Sequence, residues 1–124
     1  MKNTIILLLS LAYFPSHASG VPPEALQMMG RMMCNQDDFT FRYCYSATLE
    51  NCQADATEAA KKCVEKIPEP KDFASSGEWG LKIGHCSEQL YHTQHAKQFS
   101  KDEKCQSNYK TRLENYKSSG TLIK

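Results

Sequence analysis

The chain reads as an all-α (mainly α) domain, a small disulfide-stapled bundle of about four short helices. Three features carry that reading. Leu, Ile, Val and Phe supply only 15 of the 106 residues that follow Ala18, about 14%, below the roughly 20% expected of a chain that folds on hydrophobic burial alone. All six cysteines, Cys34, Cys44, Cys52, Cys63, Cys86 and Cys105, fall in those 106 residues. Between them the apolar residues recur mostly at helical spacing.

The first 18 residues read as a cleaved secretory signal. Lys2 precedes an apolar run from Ile5 to Phe14, followed by Pro15, Ser16, His17 and Ala18. A charged start, a ten-residue apolar centre and small residues before the cut fit export, and ten apolar residues are too few to span a bilayer as a helix. Residues 19–124 then form a single secreted, disulfide-rich helical domain with no transmembrane segment, either extracellular or, in a bacterium, periplasmic. An even number of cysteines in an exported chain predicts three disulfides.

From Val21 the elements follow in order. Pro22 and Pro23 lead into a short helix over Glu24–Met33, with Leu26, Met29 and Met33 on one face and Gly30 as a weak point. Phe39, Phe41, Tyr43 and Tyr45 alternate at strand periodicity, yet Phe39 and Tyr43 also fit i, i+4. The absence of an obvious partner strand favours helix for Asp37–Ser46. Thr48–Ile67 is rich in Ala, Glu, Lys and Gln, good helix formers, with Asp55 and Glu58 at capping-box spacing. An unbroken helix from Asp38 to Lys66 would be about 43 Å long, too long for a domain whose radius of gyration is about 13 Å. A break between Ser46 and Asp55 is therefore expected.

Pro68 and Pro70 stop that helix, and Pro68–Gly80 reads as a surface connection. Helical character resumes over Lys82–Phe99. Ser100 with Glu103 forms a capping box for a last helix over Lys101–Lys117, which Ser118, Ser119 and Gly120 end.

Cys52 and Cys63 share a helical face but stand about 16 Å apart, too far for a mutual bond, since a disulfide wants Cα atoms about 5.5 Å apart. Fifteen pairings exist for six cysteines. Folding the Pro68–Gly80 connection back suggests Cys63–Cys86, leaving Cys52–Cys105 and Cys34–Cys44.

Charge and motifs narrow the function classes. After loss of Lys2 the balance of basic and acidic residues is zero, and Lys61-Lys62 is the only basic doublet, so no counterion-displacing patch for nucleic acid exists. No nucleophile elbow, zinc-protease helix, phosphate-binding loop or dinucleotide turn occurs, and no cofactor is implied. The reading is therefore non-enzymatic.

Four groups of residues are candidates for function. Met28, Met29, Met32 and Met33 form a thioether patch, either core filling or a surface for a partner or lipid, with copper(I) as a further chemistry. Phe73 and Trp79, on the predicted surface connection, are candidate aromatic anchors for a protein partner. Phe39, Phe41, Tyr43 and Tyr45 are either core or the walls of a pocket for a small hydrophobic ligand. His85, Glu88, His92 and His95 fall within about 80° of arc on one helix, a nitrogen and oxygen donor set suited to zinc or copper. That stripe is expected to face away from the core side formed by Trp79, Ile83, Cys86 and Leu90.

The expected function is a secreted protein that binds an unknown target protein as a toxin, effector or inhibitor-like factor. The alternatives are a carrier of a small hydrophobic ligand and a metal-sequestering defence protein.

Overall fold

The computed structural model describes residues 20–35 and 42–121. Among them are four α-helices: α1 (Pro23–Cys34), α2 (Leu49–Lys66), α3 (Ser76–Gln94) and α4 (Glu103–Ser118). Short 3-10 turns at Phe73–Ser75 and Ala96–Gln98 precede α3 and follow it, and no strand occurs among the described residues. The bundle is helical and disulfide-stapled, as the composition implies. The predicted signal segment, Phe39 and Phe41 lie outside the described residues.

Local chemistry explains each helix boundary. Pro22 is extended and Pro23 opens α1, with Glu24 in its first turn and Arg31 in its last, each matched to the helix dipole. The break expected before Asp55 falls at Thr48, whose hydroxyl accepts from the Asn51 N–H at 3.1 Å and caps α2. Asp55 and Glu58 consequently lie inside α2 and cap nothing.

Four features differ from the sequence expectation. Arg42–Ser46 closes as a turn instead of a helix: the Ala47 N–H reaches the Arg42 carbonyl at 3.0 Å, and Ser46 adopts φ 52°, which a right-handed helix cannot contain. Helix α3 begins at Ser76, six residues before Lys82, because Asp72 accepts from both the Ser75 N–H at 3.1 Å and the Ser75 hydroxyl at 2.7 Å and starts the winding early. At its other end α3 stops at Gln94, short of Phe99. Finally, α4 is capped by Asp102, which accepts from the Lys104 N–H at 2.8 Å. Ser100 is drawn elsewhere, its N–H bonded to the Cys44 carbonyl at 2.7 Å.

The disulfides are Cys34–Cys52, Cys44–Cys105 and Cys63–Cys86. Cys63–Cys86 matches the folded-back connection, whereas the expected Cys34–Cys44 and Cys52–Cys105 are replaced. Helix α1 lies antiparallel on α2, so its last residue, Cys34, lands beside the start of α2 and takes Cys52. Cys44 then meets Cys105 at the start of α4.

The core has two parts, one of sulfur, alanine and tyrosine and one of sulfur, alanine and a few aliphatic side chains. One cluster joins Cys34, Cys44, Cys52 and Cys105 to Tyr45, Ala56 and Tyr91. The second joins Val21, Leu26, Val64 and Ile83 to Ala60, Cys63 and Cys86. Every cysteine is buried, so the cross-links themselves occupy the interior that Leu and Ile would fill in a larger chain. Among the described residues no helix is long and apolar enough to cross a membrane.

Candidate functional site: a polar and aromatic seam between α3 and α4

Helix α3 carries His85, Glu88 and His92 on one side, spaced i, i+3 and i+7. Helix α4 offers Tyr109, Arg112 and Tyr116 at the same spacing, so the two rows meet side chain to side chain. Sequence reading placed the histidine row away from the core; α4 and the Arg42–Ser46 turn cover it instead. His92 stacks on Tyr109 with centroids 3.8 Å apart and presents its ring to the edge of Phe99 at 4.8 Å. His85 lies against Tyr116, centroids 4.1 Å apart.

Glu88 is the electrostatic centre of the seam. One carboxylate oxygen receives Arg112 Nη1 at 2.5 Å, and the other accepts the Tyr116 hydroxyl. Burial pushes the Glu88 carboxyl above the ordinary carboxylate range, and the Arg112 guanidinium opposes that push. A desolvated carboxylate needs this cation and this donor to stay charged.

Burial favours the neutral forms of His85, His92, Tyr45, Tyr91 and Tyr109 around it. Burial lowers the pKa of His85 and of His92 and raises that of Tyr109. Burial, with the Asp55 carboxylate nearby, pushes the Tyr91 phenol up to about 12. Tyr45 is raised further still, first by its burial and then by Tyr109 and Glu88. Its hydroxyl lies 2.5 Å from His92 Nδ1; with the ring hydrogen on Nε2, that nitrogen accepts a hydrogen bond from the phenolic O–H.

Each candidate group has a definite place. The four proposed metal ligands point at different partners: His85 Nδ1 at Thr121 Oγ1 (2.6 Å), Glu88 at Arg112 and Tyr116, His92 at Tyr45, and His95 at Asp55 (3.3 Å). Among the described residues no set of three or more His, Cys, Asp or Glu side chains is gathered to hold a metal ion. Sharing a helical arc did not make these side chains converge, because each found a neighbour on another segment.

Of the aromatic run, Tyr43 is exposed and Tyr45 is buried. Tyr45 packs edge-on to Tyr91, ring centroids 5.1 Å apart. The recess bordered by Tyr45, Glu88, Phe99, Tyr109 and Arg112 leaves about 10 Å³ free, enough for a single water.

Trp79 is not on a surface loop. It sits in the first turns of α3, packs on the second core cluster and donates its Nε1–H to the Ile67 carbonyl at 2.9 Å. Phe73 begins the 3-10 turn before α3, and its side chain lies outside the described set. The methionines divide: Met29 and Met33 pack against the two clusters, while Met28 and Met32 are 61% and 63% exposed.

Sequence reading missed Tyr109, Arg112 and Tyr116. The signal was available, because their spacing places two phenols and a guanidinium on one face of a helix otherwise read as polar throughout.

Chemically, the seam holds charge and hydrogen bonds in place, with its polar atoms engaged by one another. The chain matches no protein-family model, no curated protein and no solved structure.

Proposed function

We propose that this is an exported, non-enzymatic protein that acts by binding a target protein, as a toxin, effector or inhibitor-like factor does. The signal-like start and three disulfides support export, since such bonds persist in oxidising compartments. The observation that carries the binding reading is the exposure of Met28 and Met32 one turn apart on the outer side of α1.

Helix α1 is braced for display. Cys34–Cys52 ties its end to α2, and Gly30 lets its backbone sit close against Gln53 and Thr57. Thioether side chains adapt to a partner's apolar surface, and the braced helix beneath them leaves only the side chains to be ordered on binding. The acid–base groups of the seam, by contrast, are turned inward and hold α4 on α3.

The test is capture from candidate target cells or tissue by the oxidised wild type, side by side with Met28→Lys/Met32→Lys. The expected result is a specific protein retained by the wild type and reduced at least tenfold by the double variant, at equal helical circular dichroism. Equal retention by both, or no specific retention by the wild type with its disulfides intact, overturns the reading.

A further inference from the structure

Two of the three disulfides, Cys34–Cys52 and Cys63–Cys86, tie α1 to α2 and α2 to α3. Helix α4 is held differently. Its one covalent tie is at its start, Cys105 to Cys44, and beyond it α4 is joined to α3 through side chains that span the gap. The backbones of α1 and α2, and of α2 and α3, approach each other much more closely than α4 approaches α3. At the far end the tie is Thr121, whose hydroxyl meets His85 and whose carbonyl accepts from Gln89 Nε2 at 3.1 Å. An element anchored at one end and latched at the other can open as a unit.

What α4 covers has a specific chemistry. Glu88 belongs to α3 and its side chain is only 15% exposed, whereas Arg112, which lies over it, is 28% exposed. The carboxylate is the sealed partner and the guanidinium the reachable one. Tyr45 and Phe99, neither of them on α4, border the same recess, their ring centroids 5.1 Å apart. A buried carboxylate flanked by aromatic rings suits a planar guanidinium, which bonds the carboxylate through its N–H fork and lays its face on a ring.

We propose that Glu88, Tyr45 and Phe99 form a binding site for a guanidinium group, that Arg112 is its built-in occupant, and that α4 is a tethered lid. Opening about Cys105 withdraws Arg112 and admits an external guanidinium in its place. The closed recess has room for one water because the internal guanidinium fills it. Tyr116, the second donor to Glu88, leaves with the same helix, so the carboxylate exposed by opening has both oxygens available. This inference does not depend on the methionine surface of α1.

The experiment uses the full oxidised protein and amide hydrogen exchange, with methylguanidinium and N-acetylarginine amide as probes. Methylammonium chloride and sodium chloride at equal ionic strength are the controls. In the wild type the guanidinium probes are expected to lower protection across α4 and leave α2 unchanged. Arg112→Ala is expected to bind methylguanidinium at least tenfold more tightly than the wild type, followed by the Tyr45 ring signals, and Glu88→Gln is expected to abolish binding. If Arg112→Ala does not fold, Arg112→Lys is read instead, with tightening in the same direction.

Binding of methylguanidinium without N-acetylarginine amide assigns the site to a small free cation; binding of both assigns it to an arginine side chain. A wild-type response equal to that with the salt controls overturns the proposal. So does exchange that rises equally in α2 and α4, or binding that survives Glu88→Gln.

Discussion

Gly30 of α1 faces Thr57 of α2 with no space for a side chain between them. A Cβ at Gly30 would stand 2.9 Å from the Gln53 carbonyl oxygen and 3.0 Å from the Thr57 nitrogen, and would overlap the Thr57 hydroxyl. The glycine that weakens α1 as an isolated helix is the residue that lets α1 dock. Gly30→Ala should therefore destabilise the protein by about 1–3 kcal/mol through overpacking, even though alanine is favoured over glycine by about 1 kcal/mol inside a helix. Urea denaturation midpoints measure it, and an unchanged or higher midpoint would refute the close approach.

The disulfides differ in the chain length they close. On the chain-entropy model, the 23-residue separation of Cys63–Cys86 is worth about 3 kcal/mol and the 61-residue separation of Cys44–Cys105 about 4 kcal/mol. Paired alanine substitutions should show that order in urea. Reduction of all three should unfold the chain outright, seen as loss of helical circular dichroism; a reduced form that keeps its helices and sharp side-chain signals would show that the apolar core suffices.

Glu88 links Arg112 and Tyr116, so their contributions should not add. Tyr116→Phe removes the phenolic donor and should cost about 1.5–3 kcal/mol, as for a hydrogen bond to a charged group. Arg112→Met leaves the carboxylate without its cation and should raise the Glu88 pKa further, which carbon-detected NMR follows directly. Once Arg112→Met lets Glu88 take up a proton, the added cost of Tyr116→Phe should shrink; strict additivity in the double-mutant cycle would show the three groups to be independent.

The seam should also weaken in acid. His85 and His92 have pKa values lowered by burial from the usual 6.5, so an open or unfolded chain binds protons at these rings more readily than the closed one. Stability from this source is constant well above pH 6.5 and is lost as the pH falls from 6.5 through the lowered values. Glu88 acts in the opposite sense: its carboxyl is raised in the folded protein, so taking up a proton there favours the fold. The ordinary histidine value of 6.5 lies between pH 5.5 and pH 7.5, so on the histidine contribution the urea midpoint should be lower at pH 5.5 than at pH 7.5. His85→Gln/His92→Gln should remove most of the difference. A wild-type midpoint that does not fall contradicts the burial of the two rings.

Much of the architecture was legible because it rests on local chemistry. The prolines before Glu24, the alanines of α2 and the prolines after Lys66 act within a few residues of themselves. Helix ends were less legible where two caps competed: Asp102 displaced Ser100 at α4, and the Asp72 turn advanced α3 past its glycines. The seam was half legible, since His85, Glu88 and His92 stand out on one helical arc, whereas their partners are 24 to 28 residues away for Glu88 and 47 away for the Tyr45–His92 pair.

The sequence by itself determined that this chain would be cross-linked, with too few large aliphatic residues for an unaided core and six cysteines to compensate, and that it would be helical, from the spacing of its apolar residues. Which cysteines pair, and whether the histidine row sees solvent or Tyr109, were decided only when α1 lay antiparallel on α2 and α4 closed over α3. Helix periodicity orders residues about one axis, whereas a disulfide or a buried ion pair depends on how two axes sit against each other. That placement is set by contacts such as Gly30 with Thr57, which no single segment contains.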